Sequence, residues 1–147
     1  MYNTVKEIHS GWAYLVLIML VIAFVNALIG LTSKKTFVKK DFMLSLFALI
    51  FTHIQLVIGA IMYFTSPYLT AAKEMGMGGT MKDSTLRLYV LEHPLMMLIA
   101  IVLITMGWSK HKKETTDHAK FKKITVFYGI ALLFVLSRIP WNVWLKL

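Results

Sequence analysis

Apolar side chains fill four long blocks of the chain, residues 11–32, 42–66, 86–108 and 124–145, parted by shorter polar segments. Each block has about the 20 residues needed to cross a hydrocarbon core of roughly 30 Å. Backbone groups in lipid must be bonded within their own segment, so the pattern predicts helices, over about residues 8–32, 42–66, 84–109 and 122–145. The expected fold is all-α: one domain, an integral membrane four-helix bundle running up-down-up-down. The segment "PYLTAAKEMGMGGTMKDST" joins the second block to the third. It is expected to hold a short helix broken near Gly76–Gly79, with Asp83 or Ser84 capping the next helix.

Composition agrees. Of 147 residues, 58% are hydrophobic, and the mean hydropathy is +0.68, too apolar for a soluble domain of this size. The first block lacks a basic leader and an A-x-A-like exit, so it is expected to stay in place as a helix. The chain has no cysteine, which excludes disulfides, iron–sulfur clusters and thiolate chemistry.

The net charge of +9 does not point to nucleic acid, because the basic residues are sorted by loop. "SKKTFVKKD" and "SKHKKETTDHAKFKK" hold ten of the sixteen Lys and Arg. By the positive-inside rule these two loops face the cytoplasm, and both chain ends face the periplasm. The lysines set topology and meet anionic lipid of the bilayer.

Against this background the block "LRLYVLEHPLMMLIAIVLITMGW" raises a question, since it carries Glu92 and His93 side by side. Counting about 1.5 Å of rise per residue from the cytoplasmic ends, His53 falls near the middle of the second helix. His93 lies in the outer half of the third, and Arg138 of the fourth falls at nearly the same level. His9 opens the first helix at the outer interface. His111 and His118 fall in the lysine-rich loop and are expected to be surface residues.

Ionisable groups at such depth are costly, face the bundle interior and are paired. One pairing is an ion pair between Glu92 and Arg138, with the histidines bonded to backbone carbonyls. The other is a cofactor, because imidazole is the commonest metal ligand and a bis-histidine haem needs two of them. His9 shares a helical face with Ala13, Ala23, Ala27 and Gly30, and His93 shares one with Tyr89, Met96, Met97, Ala100 and Gly107. Small residues below a histidine make room for a macrocycle, or they pack helices closely. The second helix shows a stripe of Ser45, Thr52, Gln55, Gly59 and Ser66 that could bond to neighbours, admit a quinone head group or pack. The candidate metal ligands are thus His93 first, then His9 and His53. Diagonal helices favour His9 with His93. The deeper position of His53 favours the alternative, unless the first helix is longer than expected.

The runs "HSGWAYLVLIMLVIAFVNALIG", "HIQLVIGAIMYF" and "HPLMMLIAIVLITMGW" resemble the helices of small membrane b-type cytochromes, including short Bacteroidetes cytochrome b-like proteins. They also resemble one four-helix half of the haem A synthases, in which paired histidines near the outer face bind haem. "QLVIGA" after His53 and the H-x-x-x-M-x-x-A spacing from His93 carry most of the likeness. The chain departs from haem A synthase in having one bundle, and Glu7 stands two positions before His9 instead of adjacent to it. Oxygenation of haem is therefore not implied.

The resemblance implies bound haem b in a bacterial inner membrane, and single-electron transfer with a quinone or a partner redox protein. In that setting Arg138 and Arg87 would meet haem propionates, and Glu92 would orient a ligand histidine or neutralise Arg138. Tyr89 and Gln55 complete the candidate cofactor contacts. Two other functions compete. Met75, Met77 and Met81 in the outer segment are soft donors suited to Cu(I), or they pack that segment onto the bundle. A haem-free accessory subunit of a larger membrane complex would use the same small and polar stripes for packing. Carboxylate pairs, HExxH and nucleophile elbows are absent, so hydrolysis is not expected.

Overall fold

A computed structural model describes residues 1–145. The chain is helical throughout: α1 is Tyr2–Thr32, α2 is Lys39–Phe64 and α3 is Pro67–Lys82. α4 is the continuous helix Ser84–Lys113, α5 is Asp117–Ser137 and α6 is the single turn Trp141–Trp144. Three of these, α1, α2 and α4, are long and apolar enough to cross a membrane, as in a membrane protein. Their outward side chains match that reading. Ile18, Val57 and Val102 are each more than half exposed, as is Leu133 of α5, where a soluble protein would place polar groups.

The fourth expected helix is shorter than its apolar block. α5 stops at Ser137, and its apolar part, residues 124–137, rises only about 21 Å. The stop has a local cause: Pro140 disfavours helical geometry at the residue before it. Trp141 Nε1 then donates to the carbonyl of Leu136 at 2.9 Å, a group that Pro140, having no N–H, could not have bonded in a continued helix. Arg138 is consequently the residue that caps α5, half exposed and outside the helix proper. At the other end of the chain α1 begins at Tyr2, earlier than the expected residue 8.

α1 packs on α2 and α5, and α4 packs on α5 and more lightly on α2, so α1 and α4 stand across a diagonal. Leu20, Ala23, Ala27, Ala100, Ile104, Phe121, Ile124 and Tyr128 form the buried core between them. The small residues of the α1 and α4 stripes are used here for close approach. A Cβ at Gly30 would run into the ring of Phe121, and one at Gly107 would lie 2.5 Å from Phe127 Cβ. The inner parts of both stripes are therefore filled by aromatic side chains of α5, which leaves the outer half as the place for other chemistry.

Polar groups lock the end of the bundle that carries the two lysine-rich connections. Asp41 accepts from Val38 N at 2.9 Å, capping α2, and from Asn26 Nδ2 at 2.8 Å, tying α1 to it. Tyr128 donates to the Ser45 carbonyl at 2.8 Å, so its hydroxyl is satisfied in the core. His111, expected on the surface, is only 1% exposed. Its ring sits among Phe37, Phe42 and Trp108, because the α1–α2 connection folds Phe37 over the end of α4. His118 is exposed as expected.

The outer connection holds α3, interrupted at Gly76, whose φ of 79° is the left-handed conformation that glycine adopts freely. Asp83 then caps α4 by accepting from Thr85 N and Leu86 N at 3.0 and 3.1 Å. Met75, Met77 and Met81 are exposed on α3, and Met75 folds back over Gly79.

Candidate functional site

Two of the three candidate histidines meet. The rings of His9 on α1 and His93 on α4 meet across the diagonal in a near-perpendicular, edge arrangement, with centroids 6.3 Å apart and planes at 76°. Because α1 begins at Tyr2, about two helical turns precede His9, which places it within the helix and level with His93 instead of at the helix end. His53 lies elsewhere, on the seam between α2 and α4. Its Nδ1–H donates to the Leu49 carbonyl at 2.7 Å, and its Nε2 lies 3.4 Å from Thr105 Oγ1. Both nitrogens of His53 are thus engaged in packing contacts.

The protonation of His93 follows from its partner. Nδ1 lies 2.9 Å from the carbonyl oxygen of Arg138; a carbonyl only accepts, so Nδ1 carries the proton and Nε2 keeps a lone pair. A backbone carbonyl on the far nitrogen is what commonly orients a metal-ligating histidine. It displaces the expected role of Glu92, which does not take that proton.

Glu92 instead bridges two arginines. Its Oε1 lies 3.2 Å from Arg87 Nε, and its Oε2 lies 3.7 Å from Arg138 Nε. Arg87 also donates to the Met81 carbonyl at 2.7 Å, and Arg138 to the Ser137 carbonyl at 2.9 Å. The three side chains are between a quarter and under half exposed. This is a half-exposed cluster of two cations and one anion beside the His9–His93 pair.

The backbone around His93 is irregular for a reason visible in the chain. Residues Leu88–Glu92 form a π-helical turn, and the N–H of His93 bonds back to the Leu88 carbonyl. Pro94 follows immediately. It has no N–H to give the carbonyl four residues earlier, that of Val90, and Tyr63 of α2 supplies the donor instead, at 3.1 Å. Single π turns of this kind are frequent at functional sites. Here the turn places Glu92 toward the arginines and His93 toward His9. Sequence reading missed Tyr63; Pro94 signalled an orphaned carbonyl, but nothing in the sequence could say which helix would answer it.

On the other wall, Gln55 Nε2 donates to the carbonyl of His9 at 2.9 Å. Gly59, one turn further along α2, lies against the His9 ring: a Cβ there would be 3.2 Å from Cε1 and 3.6 Å from Nδ1. Above, Tyr89 stacks on Tyr68 of α3, with centroids 4.7 Å apart, and so faces the outer segment. Trp144 Nε1 donates to the Ser10 carbonyl at 3.1 Å and its ring stacks on Tyr14, closing the α1 side.

Among the described residues no group of three or more His, Cys, Asp or Glu gathers as a metal site. Axial ligation of a haem iron requires only two imidazoles. Metal–nitrogen bonds of about 2 Å to two opposed imidazoles put their ring centroids about 6 Å apart, which is the spacing of His9 and His93. As a donor set, the pair fits. Comparison with protein-family models, with curated proteins and with solved structures returns no match. Function is therefore inferred from the His9–His93 geometry itself.

Proposed function

We propose that the chain is a transmembrane four-helix up-down-up-down bundle of a bacterial inner membrane that binds haem b between His9 and His93 and passes single electrons. Both termini face the periplasm in this reading, and the exchange partner is a quinone or a redox protein. The observation that carries it is the His9–His93 pair: two imidazoles on diagonal helices at axial-ligand spacing, one already holding its tautomer through the Arg138 carbonyl. Haem, when bound, supplies the one-electron chemistry. The chain's part is to hold the two rings and to meet the propionates with Arg87 and Arg138. α5 completes the bundle with Lys122 and Lys123 snorkelling at its cytoplasmic end and Trp141 and Trp144 at the outer interface.

The test is the visible spectrum of detergent-purified protein from haem-replete cells, oxidised and then reduced. A low-spin bis-histidine spectrum is expected, lost or converted to high spin in His9→Ala and in His93→Ala, and kept in His53→Ala. Absence of a Soret band from the unaltered protein overturns the reading.

A second reading is favoured by the glycine contacts. Phe121 and Phe127 already fill the notches at Gly30 and Gly107, so packing alone accounts for much of the small-residue pattern. A haem-free accessory subunit of a larger membrane complex would need no more than that, and it leads if the spectrum is blank.

A further inference from the structure

His93 has a partner for its outer nitrogen, whereas His9 Nδ1 is buried with no partner among the described residues. On the facing helix, Gln55 is in the same position: its Nε2 is committed to the His9 carbonyl, and its Oε1 is buried without a donor. Two such orphans on residues already joined by a hydrogen bond are unusual, because buried polar atoms are nearly always satisfied. The wall between them is Gly59, whose missing Cβ leaves space beside Nδ1.

We infer that Gln55 is the positioning residue of His9, holding its Nδ1–H through one bound water seated against Gly59. The water accepts from Nδ1–H and donates to Gln55 Oε1, satisfying both atoms with one molecule. The carboxamide is fixed for this task because its other end grips the backbone of the same histidine. His9 then carries its proton on Nδ1 and its lone pair on Nε2, the tautomer that the Arg138 carbonyl imposes on His93. The two lone pairs are thereby set by different means, a carbonyl for one ring and an amide-held water for the other.

This inference rests on the reading of His9 and His93 as the haem pair, but its first readout does not need haem. Nitrogen-15 spectra of histidine-labelled, haem-free protein, with the His9 signals assigned by their loss in His9→Ala, should show Nδ1 protonated and Nε2 bare. Gln55→Met removes the acceptor, and Gly59→Ala fills the space beside the ring while leaving the Gln55 grip intact. Each should scramble the His9 tautomer, and each should lower haem affinity about 10- to 100-fold, the usual effect of losing a partner of a metal-ligating histidine. Gln55→Glu keeps the acceptor but loses the N–H that grips the His9 carbonyl, so it should weaken the Nδ1–H pattern less than Gln55→Met does. A His9 tautomer unchanged in Gly59→Ala overturns the assignment, and that outcome does not depend on Gln55→Met folding. A missing Soret band with an intact tautomer pattern would instead overturn the haem reading and leave Gln55 in its place.

Discussion

Tyr63 of α2 donates its hydroxyl to the carbonyl of Val90 in α4, the group to which Pro94 has no N–H to give. A proline inside a membrane helix is tolerated when a neighbour re-satisfies the freed carbonyl, and this bond is the case in point.

Tyr63→Phe therefore leaves Val90 without that donor in apolar surroundings, and should cost about 1–2 kcal/mol of stability. Pro94→Ala restores an N–H to α4 and makes the Tyr63 hydroxyl redundant, so Tyr63→Phe should cost less in that background. Thermal unfolding in detergent of the two single variants and the double variant decides it. Strict additivity would mean that Tyr63 and Pro94 do not serve the same carbonyl.

Glu92 sits closer to Arg87 than to Arg138, at 3.2 against 3.7 Å, and all three are partly exposed. A fully buried pair would lose roughly 3–5 kcal/mol when one partner is removed; the exposure here argues for less. Glu92→Gln should cost about 1–2 kcal/mol, since one carboxylate serves two charged donors, and Arg138→Gln less than about 1 kcal/mol. Double-mutant cycles should give a larger coupling for Glu92 with Arg87 than with Arg138, and the order reversed would place the main pair on α5.

Much of the architecture was legible because the long apolar blocks answer to one dominant constraint, hydrocarbon thickness. Diagonal placement of the first and third blocks follows from each long helix packing on its neighbour in sequence, and with it the meeting of His9 and His93. What escaped was decided by single residues acting across the fold. Pro140 was present in the sequence, yet the apolar run around it masked the end of α5 at Ser137. The π turn before His93 depends on Tyr63, which is distant in sequence. The small-residue stripes had two meanings until Phe121 and Phe127 were seen to occupy them. Arg138 falls just past the end of α5 and not within it, yet it stands level with His93, whose ring bonds its carbonyl.

Topology can be tested directly, because a chain without cysteine gives clean single-cysteine labelling. Asn3→Cys should react with an impermeant maleimide in intact cells, and Lys113→Cys only after lysis. Ten of the sixteen basic residues in two loops make this the expected orientation. Labelling of Lys113→Cys from outside would invert the bundle and move the His9–His93 end to the cytoplasmic face.

His111 offers the sharpest contrast between neighbours in the sequence. His118, seven residues on, is exposed, while His111 is packed among Phe37, Phe42 and Trp108 and donates its Nδ1–H to the Trp108 carbonyl. Truncation opens a cavity at the end of the bundle away from His9 and His93 and strips that carbonyl of its side-chain donor. His111→Ala should therefore cost about 2 kcal/mol or more, and His118→Ala should stay within about 0.5 kcal/mol of the parent. His111→Phe refills the space without the donor, so it should recover only part of the loss, the remainder reporting the hydrogen bond. None of the three should move a Soret band, since the site lies at the other end of the bundle. Thermal melts of the four proteins in one detergent give the comparison, and equal melting of His111→Ala and His118→Ala would return His111 to the solvated loop.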